Sequence, residues 1–308
     1  MNLPSSTMPD LPIESQDTTD TQQPTRPLYW SIRRELWENR SIYIAPLVAA
    51  ALFLFGFLFS TIRLPQTIRG LSALDPVRQR AVLTLPYSAA ASLILLTGFV
   101  VGMLYCLDAL NSERRDRSIL FWKSLPVSDR TTVLAKAGIP MVVLPLLTFL
   151  MALALQWVML LLSTAVLAVN GLSPIPLWTR VPVFQLTLVM FYGLTIHALW
   201  FAPLYGWLLL VSAWSRRAAF LWALLPFFAL LVVERLALGT SYVASLMKYR
   251  LMGAMAEGFQ NAGSAPVSRL SQLTPGTFLS APGLWIGLAL AVAFLALAMR
   301  LRRDREPI

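Results

Sequence analysis

Very few side chains of this 308-residue chain could act as catalytic groups or metal ligands. The chain has one histidine, His197, and one cysteine, Cys106, which excludes an internal disulfide and a cysteine-based metal cage. Neither Glu-x-x-His nor His-Glu-x-x-His occurs, so a zinc site of that class is excluded as well. We therefore predict no catalytic residue and no metal site.

A serine protease would need Ser173, in the sequence Gly171-Leu172-Ser173, to lie beside His197. At helical rise, His197 lies roughly 16 residues, or about 24 Å, deeper in an apolar stretch than the turn that holds Ser173. Activation of a serine by a base requires about 2.6–3.2 Å between the two groups, which excludes this pairing. His197 is then either an intramembrane functional group or a structural histidine bonded to a backbone carbonyl.

The overall composition is typical of a membrane protein. Charged residues make up 13% of the chain, hydrophobic residues 57%, and the mean hydropathy is +0.65. A soluble domain has about 25% charged residues, so an ordinary cytosolic protein is excluded. Stretches of about 18 or more uncharged residues predict membrane-spanning helices.

The uncharged runs predict six such helices. The run 137–179 is interpreted as one tilted helix because its strong turn signal, Asn170 to Pro176, lies near its end. Pro203 and Gly206 predict a kink or break in the fourth span. The spans are expected at about residues 42–62, 86–107, 139–169, 181–212, 218–238 and 283–299.

The net charge of +10 indicates the orientation of these spans. With both termini in the cytoplasm, the inner segments hold 16 of the 25 Lys and Arg residues, and the outer segments hold nine. We therefore predict an all-α integral membrane protein with its N- and C-termini inside. The same distribution argues against nucleic acid as a partner.

Outside the spans, five segments have a character of their own. They are a disordered tail (1–27), an amphipathic interfacial helix (28–41), a cytoplasmic loop (108–138), an outer loop with an amphipathic helix (239–282) and a basic tail (301–308). We expect the interfacial helix to contact the membrane interface through Tyr29, Trp30, Ile32, Arg33, Arg34, Leu36 and Trp37. In addition to His197, a second candidate polar site is Glu234, at the outer end of the fifth span. We expect Glu234 either to contact the outer helix or another protomer, or to snorkel to the membrane interface.

The loop 108–138 contains an apolar block in an otherwise polar setting. Ile119, Leu120, Phe121 and Trp122 follow one another, and Pro126 ends the block. Four large apolar side chains in a row are costly to leave in water, so we expect them to contact lipid headgroups or a partner protein.

Together these features resemble the permease subunits of type-2 ATP-binding-cassette exporters. The most specific likeness is the stretch from Glu113 to Leu120, followed by Leu125-Pro126-Val127-Ser128 and by Lys136. Arg117 stands where the family has a glycine, and Phe121-Trp122-Lys123 precede the Leu-Pro pair. The resemblance implies a coupling helix that docks onto an ATPase subunit through Glu113, Arg117, Ile119, Leu120, Phe121, Trp122, Lys123, Leu125 and Pro126.

The resemblance also implies the partners. The chain has no Gly-x-x-x-x-Gly-Lys-[Ser/Thr] phosphate loop. We therefore expect it to bind no cofactor directly, with ATP and Mg bound by two copies of a separate ATPase subunit. Six spans are half of the usual set, which implies a second permease copy, identical or not. The expected role is outward, ATP-driven transport of a hydrophobic or amphipathic lipid, peptide or drug across a bacterial inner membrane. A stand-alone secondary transporter or efflux carrier is the alternative.

Overall fold

The structure is a computed structural model that describes residues 26–116, 128–260 and 270–304. Within these ranges the regular elements are helices, and the one β contact is an isolated bridge between Phe259 and Leu273. Six helices of the described ranges are long and apolar enough to cross a membrane. The chain thus has the architecture of an all-α, multi-pass membrane protein.

The helices before residue 117 start with a proline or follow a short turn. Pro27 occupies the first turn of the first helix, where its missing amide N–H costs no hydrogen bond. Asp75 caps the fourth helix by accepting a 2.7 Å hydrogen bond from the backbone N–H of Arg78. These helices are α1 (Pro27–Glu38), α2 (Ser41–Thr61), α3 (Leu64–Gly70), α4 (Pro76–Asp108) and α5 (Asn111–Arg115).

The middle of the chain contains a long helix with one irregular turn. Its parts are α6 (Asp129–Gly138), a π-helical turn (Ile139–Val143) and α7 (Leu144–Val169), which together form a 41-residue apolar helix. Helix α8 (Ile175–Arg180) follows, then α9 (Val183–Trp200) and α10 (Ala202–Trp214).

The fourth predicted span is divided at Phe201 rather than at Pro203 or Gly206. Pro203 lies in the first turn of α10, where a proline is tolerated because the first amide groups of a helix have no intrahelical acceptor. The proline therefore starts a new helix and does not kink an existing one.

The last part of the chain contains two more candidate spans with short helices between them. A π-helical turn (Glu234–Leu238) extends the first, and Gly239 ends it with φ +63°. The helices are α11 (Ala219–Val233), α12 (Tyr242–Gly258), α13 (Pro275–Ser280) and α14 (Pro282–Asp304).

Helix packing brings both ends of the described chain to one end of the bundle. Helix α10 lies along α14, and a Cβ on Gly206 would lie 3.3 Å from the carbonyl oxygen of Ala291. Helix α6 packs against both α1 and α14. The first and last described helices thus meet beside the start of the third span, at what we call the charged end.

Candidate functional site

Two acidic and two basic side chains meet inside the charged end. Lys136 Nζ lies 2.8 Å from Glu35 Oε1 and 3.1 Å from Glu113 Oε1. Arg302 donates from Nη1 to Glu113 Oε2. All four residues are buried, with at most 6% of their surface exposed. These residues, one each from α1, α5, α6 and α14, are called the ion cluster.

Further polar groups surround the ion cluster. Arg34 Nη2 lies 2.9 Å from one carboxylate oxygen of Glu35 and 2.9 Å from one of Glu113. Tyr105 donates a 2.7 Å hydrogen bond to Glu35 Oε2. Arg302 also donates from Nε to Asp129 Oδ1 at 3.0 Å. Each buried carboxylate is therefore paired and hydrogen-bonded, as burial of a charge requires.

Glu38 lies at the edge of this region, 3.4 Å from Arg34 Nε. Burial raises the pKa of the Glu38 carboxyl, and the nearby Arg34 guanidinium acts in the opposite direction. The side chain is half exposed, so the pair with Arg34 contributes little to stability.

Helix α5 is held in place by the end of α10. Ser212 Oγ accepts hydrogen bonds of 3.0 Å from the backbone N–H groups of Leu110 and Asn111. Arg114 donates a 2.7 Å hydrogen bond to the carbonyl of Ala213. These contacts hold the turn between α4 and α5 in place, and they thereby position Glu113 within the ion cluster.

The predicted docking segment falls mostly outside the described residues. Glu113 is described and lies in the ion cluster, but the other predicted docking residues lie outside: Arg117, Ile119, Leu120, Phe121, Trp122, Lys123, Leu125 and Pro126. The segment 117–127 joins α5 to α6. On its far side, Ser128 caps α6 by accepting a 3.1 Å hydrogen bond from the backbone N–H of Thr131.

The predicted interfacial residues divide between two faces of α1. Ile32 and Leu36 pack against the core at the charged end, and Arg34 contacts Glu113 of the ion cluster. Arg33 lies over the exposed Trp30 and Trp37 rings, with its guanidinium carbon 5.3 and 4.7 Å from their centroids. Tyr29 is also exposed, and its ring lies edge-on to Trp30.

Sequence reasoning missed Glu35, the most buried acid of the cluster. Its neighbours Ile32 and Leu36 lie on the apolar stripe of α1, and Glu35 is three residues after Ile32 on nearly the same face. A carboxylate on a buried helix face requires a cationic partner. The position of Glu35 on the apolar face of α1 therefore indicates a buried ion pair, although it does not identify Lys136 as the partner.

His197 lies in the wall of a cavity of about 940 Å³. Its Nε2 lies 2.9 Å from Tyr205 Oη, and its ring lies edge-on to Phe99 with the centroids 5.2 Å apart. The cavity is bounded by α4, α7, α9 and α12, with Phe201 and Phe259 also in its wall. The structure thus gives His197 a tyrosine partner next to an open space.

Glu234 is not among the residues that line this cavity, and it caps the next helix. Its two carboxylate oxygens accept from the backbone N–H groups of Tyr242 and Val243, the latter at 2.8 Å. Thr240 Oγ1 donates to the same carboxylate at 2.8 Å. A carboxylate at a helix N-terminus satisfies free amides and interacts favourably with the helix dipole. Glu234 therefore fixes the position where α12 begins.

Within the described ranges, no group of three His, Cys, Asp or Glu side chains lies close enough to hold a metal ion.

Comparison of the chain with protein-family models, curated proteins and solved structures gave no match.

Proposed function

We propose that this chain is the membrane-spanning permease subunit of an ATP-driven exporter, with ATP hydrolysed by a separate ATPase subunit. The observation that carries the proposal is the attachment of the segment 117–127. The helices on either side of it, α5 and α6, contribute Glu113 and Lys136 to one buried ion cluster. The same cluster includes Glu35 from the first helix and Arg302 from the last.

This arrangement supports a mechanical role for the segment. A force applied at 117–127 acts on both α5 and α6, and the ion cluster connects these helices to α1 and α14. Helix α6 continues into α7 without a break in the apolar helix, so displacement of α6 also moves the third span. We infer that movement of a docked ATPase is transmitted in this way to rock the helix bundle.

The sequence of the segment suits a docking role. Ile119, Leu120, Phe121 and Trp122 provide an apolar and aromatic surface, and aromatic side chains are frequent among the residues that dominate protein interfaces. The ATPase would bind ATP and Mg and would be present in two copies. We further propose that the charged end faces the cytoplasm of a bacterial cell, where ATP is available.

A second permease copy completes the proposed transporter. Helices α2 and α11 are the least buried of the six candidate spans, so each offers an apolar surface for lipid or for another copy. The transported molecule would be hydrophobic or amphipathic.

Purification of the full-length chain from its native membrane tests the ATPase partner. We expect a phosphate-loop ATPase to co-purify with the wild-type protein and the complex to hydrolyse ATP. Phe121→Asp combined with Trp122→Asp should abolish both, because two carboxylates replace the apolar docking surface. Membrane insertion should be unchanged, as measured by the amount of protein in the membrane fraction.

A matched double variant controls for the added charge. Leu74→Asp with Val77→Asp places one carboxylate just before α4 and one in its first turn, at the opposite end of the bundle, where Val77 is largely exposed. This variant should retain the ATPase. Transport by the wild-type chain without any ATPase, or an unchanged complex with the Phe121 and Trp122 variant, would contradict the proposal and favour a stand-alone carrier.

A further inference from the structure

We infer that the cavity beside His197 is a binding site for an uncharged, mostly apolar molecule that carries a hydroxyl or similar hydrogen-bonding group. The site lies within one subunit, between α4, α7, α9 and α12. The inference does not depend on the proposed ATPase partner.

The size of the cavity suits a small molecule. Its volume of about 940 Å³ lies near the upper end of the range of about 300–1,000 Å³ typical of ligand pockets. Three of the bounding helices, α4, α7 and α9, belong to candidate membrane spans. A ligand of low polarity could therefore reach it from the bilayer.

The wall composition argues for an uncharged ligand. Among the described residues that line the cavity there is no Asp, Glu, Lys or Arg. A charged ligand would lose its hydration without gaining a counter-charge, which is strongly unfavourable. The same reasoning excludes nucleotides and inorganic ions as occupants.

Polar groups in the wall suit a ligand with one hydrogen-bonding end. Gln156 donates from Nε2 to the Tyr87 carbonyl at 3.2 Å, and its buried Oε1 accepts no hydrogen bond within the described residues. A hydroxyl that donates to this oxygen, after a small side-chain rotation, would satisfy it. His197 and Tyr205 form a second polar pair in the wall.

The remaining wall can adapt to the shape of an apolar chain or ring. Met190 from α9, and Met252 and Met255 from α12, line the cavity. Methionine side chains are flexible and polarizable, so they fill irregular space around different ligands. We therefore expect selection by charge rather than by detailed shape.

Photo-crosslinking in vesicles tests the site. The probe is a hexadecanol that carries a diazirine in the middle of its chain, and the matched probe is the corresponding hexadecanesulfonic acid, which is fully ionised at neutral pH. Labelled peptides are identified by mass spectrometry. Helices α2 and α11, which are largely exposed, report non-specific labelling from the bilayer.

Two variants fill the cavity from different helices. Gly193 lines it, and a Cβ built there lies 3.7 Å from Phe259 Cζ, so Gly193→Leu extends into open space. Ala89 lines it from α4, and Ala89→Phe fills the same space from the other side. Gly56→Leu is the control, because a Cβ on Gly56 in α2 meets nothing within 4 Å.

We expect saturable labelling of α4, α7, α9 and α12 by the alcohol, at least about tenfold stronger than by the acid, as burial of the charge predicts. Each cavity-filling variant should lose this labelling, and Gly56→Leu should keep it. Competition by unlabelled hexadecanol in the wild-type protein decides the question even where a variant fails to fold.

Three results would overturn the inference. The first is labelling of the cavity helices that does not saturate or does not exceed that of α2 and α11. The second is equal labelling by the acid. The third is equally strong, saturable labelling by a phospholipid with the diazirine in its acyl chain, which would show that a bilayer lipid chain occupies the space.

Discussion

Lys136 contacts both carboxylates of the ion cluster. Its side chain is 3% exposed, and its ammonium group lies within 3.1 Å of carboxylate oxygens of both Glu35 and Glu113. Two carboxylates close to a shared cation repel each other strongly once the cation is removed. Arg34 would still contact both acids and Arg302 would still contact Glu113, but the buried cation between the two carboxylates would be lost.

We therefore predict that Lys136→Met destabilises the protein by about 3–5 kcal/mol, the typical cost of removing one partner of a buried ion pair. Methionine keeps most of the length of the side chain, so the loss reflects charge rather than volume. The free energy of unfolding is measured by titration with sodium dodecyl sulfate in mixed micelles.

The control for this prediction is Arg115→Met on the neighbouring helix α5. Arg115 is 64% exposed and lies 3.4 Å from Asp116, so its removal should cost less than about 1 kcal/mol. Equal stability of the Lys136 and Arg115 variants would show that the ion cluster does not stabilise the fold.

At the level of elements, the contact between α10 and α14 depends on Gly206. A Cβ at this position lies 3.3 Å from the carbonyl oxygen and 3.4 Å from the Cα of Ala291. Backbone atoms cannot move aside as a side chain can. Larger side chains at residue 206 must therefore push the two helices apart.

Gly206→Val should accordingly lower the free energy of unfolding by about 1–3 kcal/mol, the usual cost of overpacking. Because α14 carries Arg302, the shift should also weaken the bond from Arg302 to Glu113 at the charged end. Thermal unfolding in detergent provides the measurement. Gly56→Val in α2 is the control, since its Cβ has no neighbour within 4 Å; a comparable loss in both variants would point to helix propensity and not to packing.

The helices could be predicted from the sequence, whereas the exact position of the break within the fourth span could not. An uncharged run of about 20 residues is a local signal, because each backbone amide of a span must bond within its own helix. The break at Phe201 depends on whether Pro203 starts a helix or interrupts one. The sequence pattern allows both, and tertiary packing decides.

The ion cluster was beyond prediction for a different reason. The sequence pattern places Arg34 in an interfacial helix and Lys136 in a family motif, without indicating that they share acidic partners. In the structure, Glu113 pairs with Arg34, 79 residues away along the chain, and with Arg302, 189 residues away. Contacts of such long range depend on how the helices are arranged, and this arrangement cannot be deduced from the local patterns of one sequence.

At the scale of the whole molecule, the bundle has two chemically different ends. The charged end holds the ion cluster together with the exposed arginines of α5 and α14. The opposite end holds the turn after α7, where Gly171 has φ +70°. The distribution of Lys and Arg led us to propose that the charged end faces the cytoplasm.

Cysteine labelling in intact cells tests this orientation. Cys106 is fully buried and should remain unlabelled, so the native chain serves as the background. Ser173→Cys, exposed in the turn after α7, should react with a membrane-impermeant maleimide added outside the cells. Arg115→Cys, exposed at the charged end, should react only after the membrane is permeabilised, because the bilayer then no longer shields the cytoplasmic side. Labelling of Arg115→Cys in intact cells, with Ser173→Cys protected, would reverse the proposed orientation. That result would also place the segment 117–127 outside the cell, where it could not dock onto a cytoplasmic ATPase.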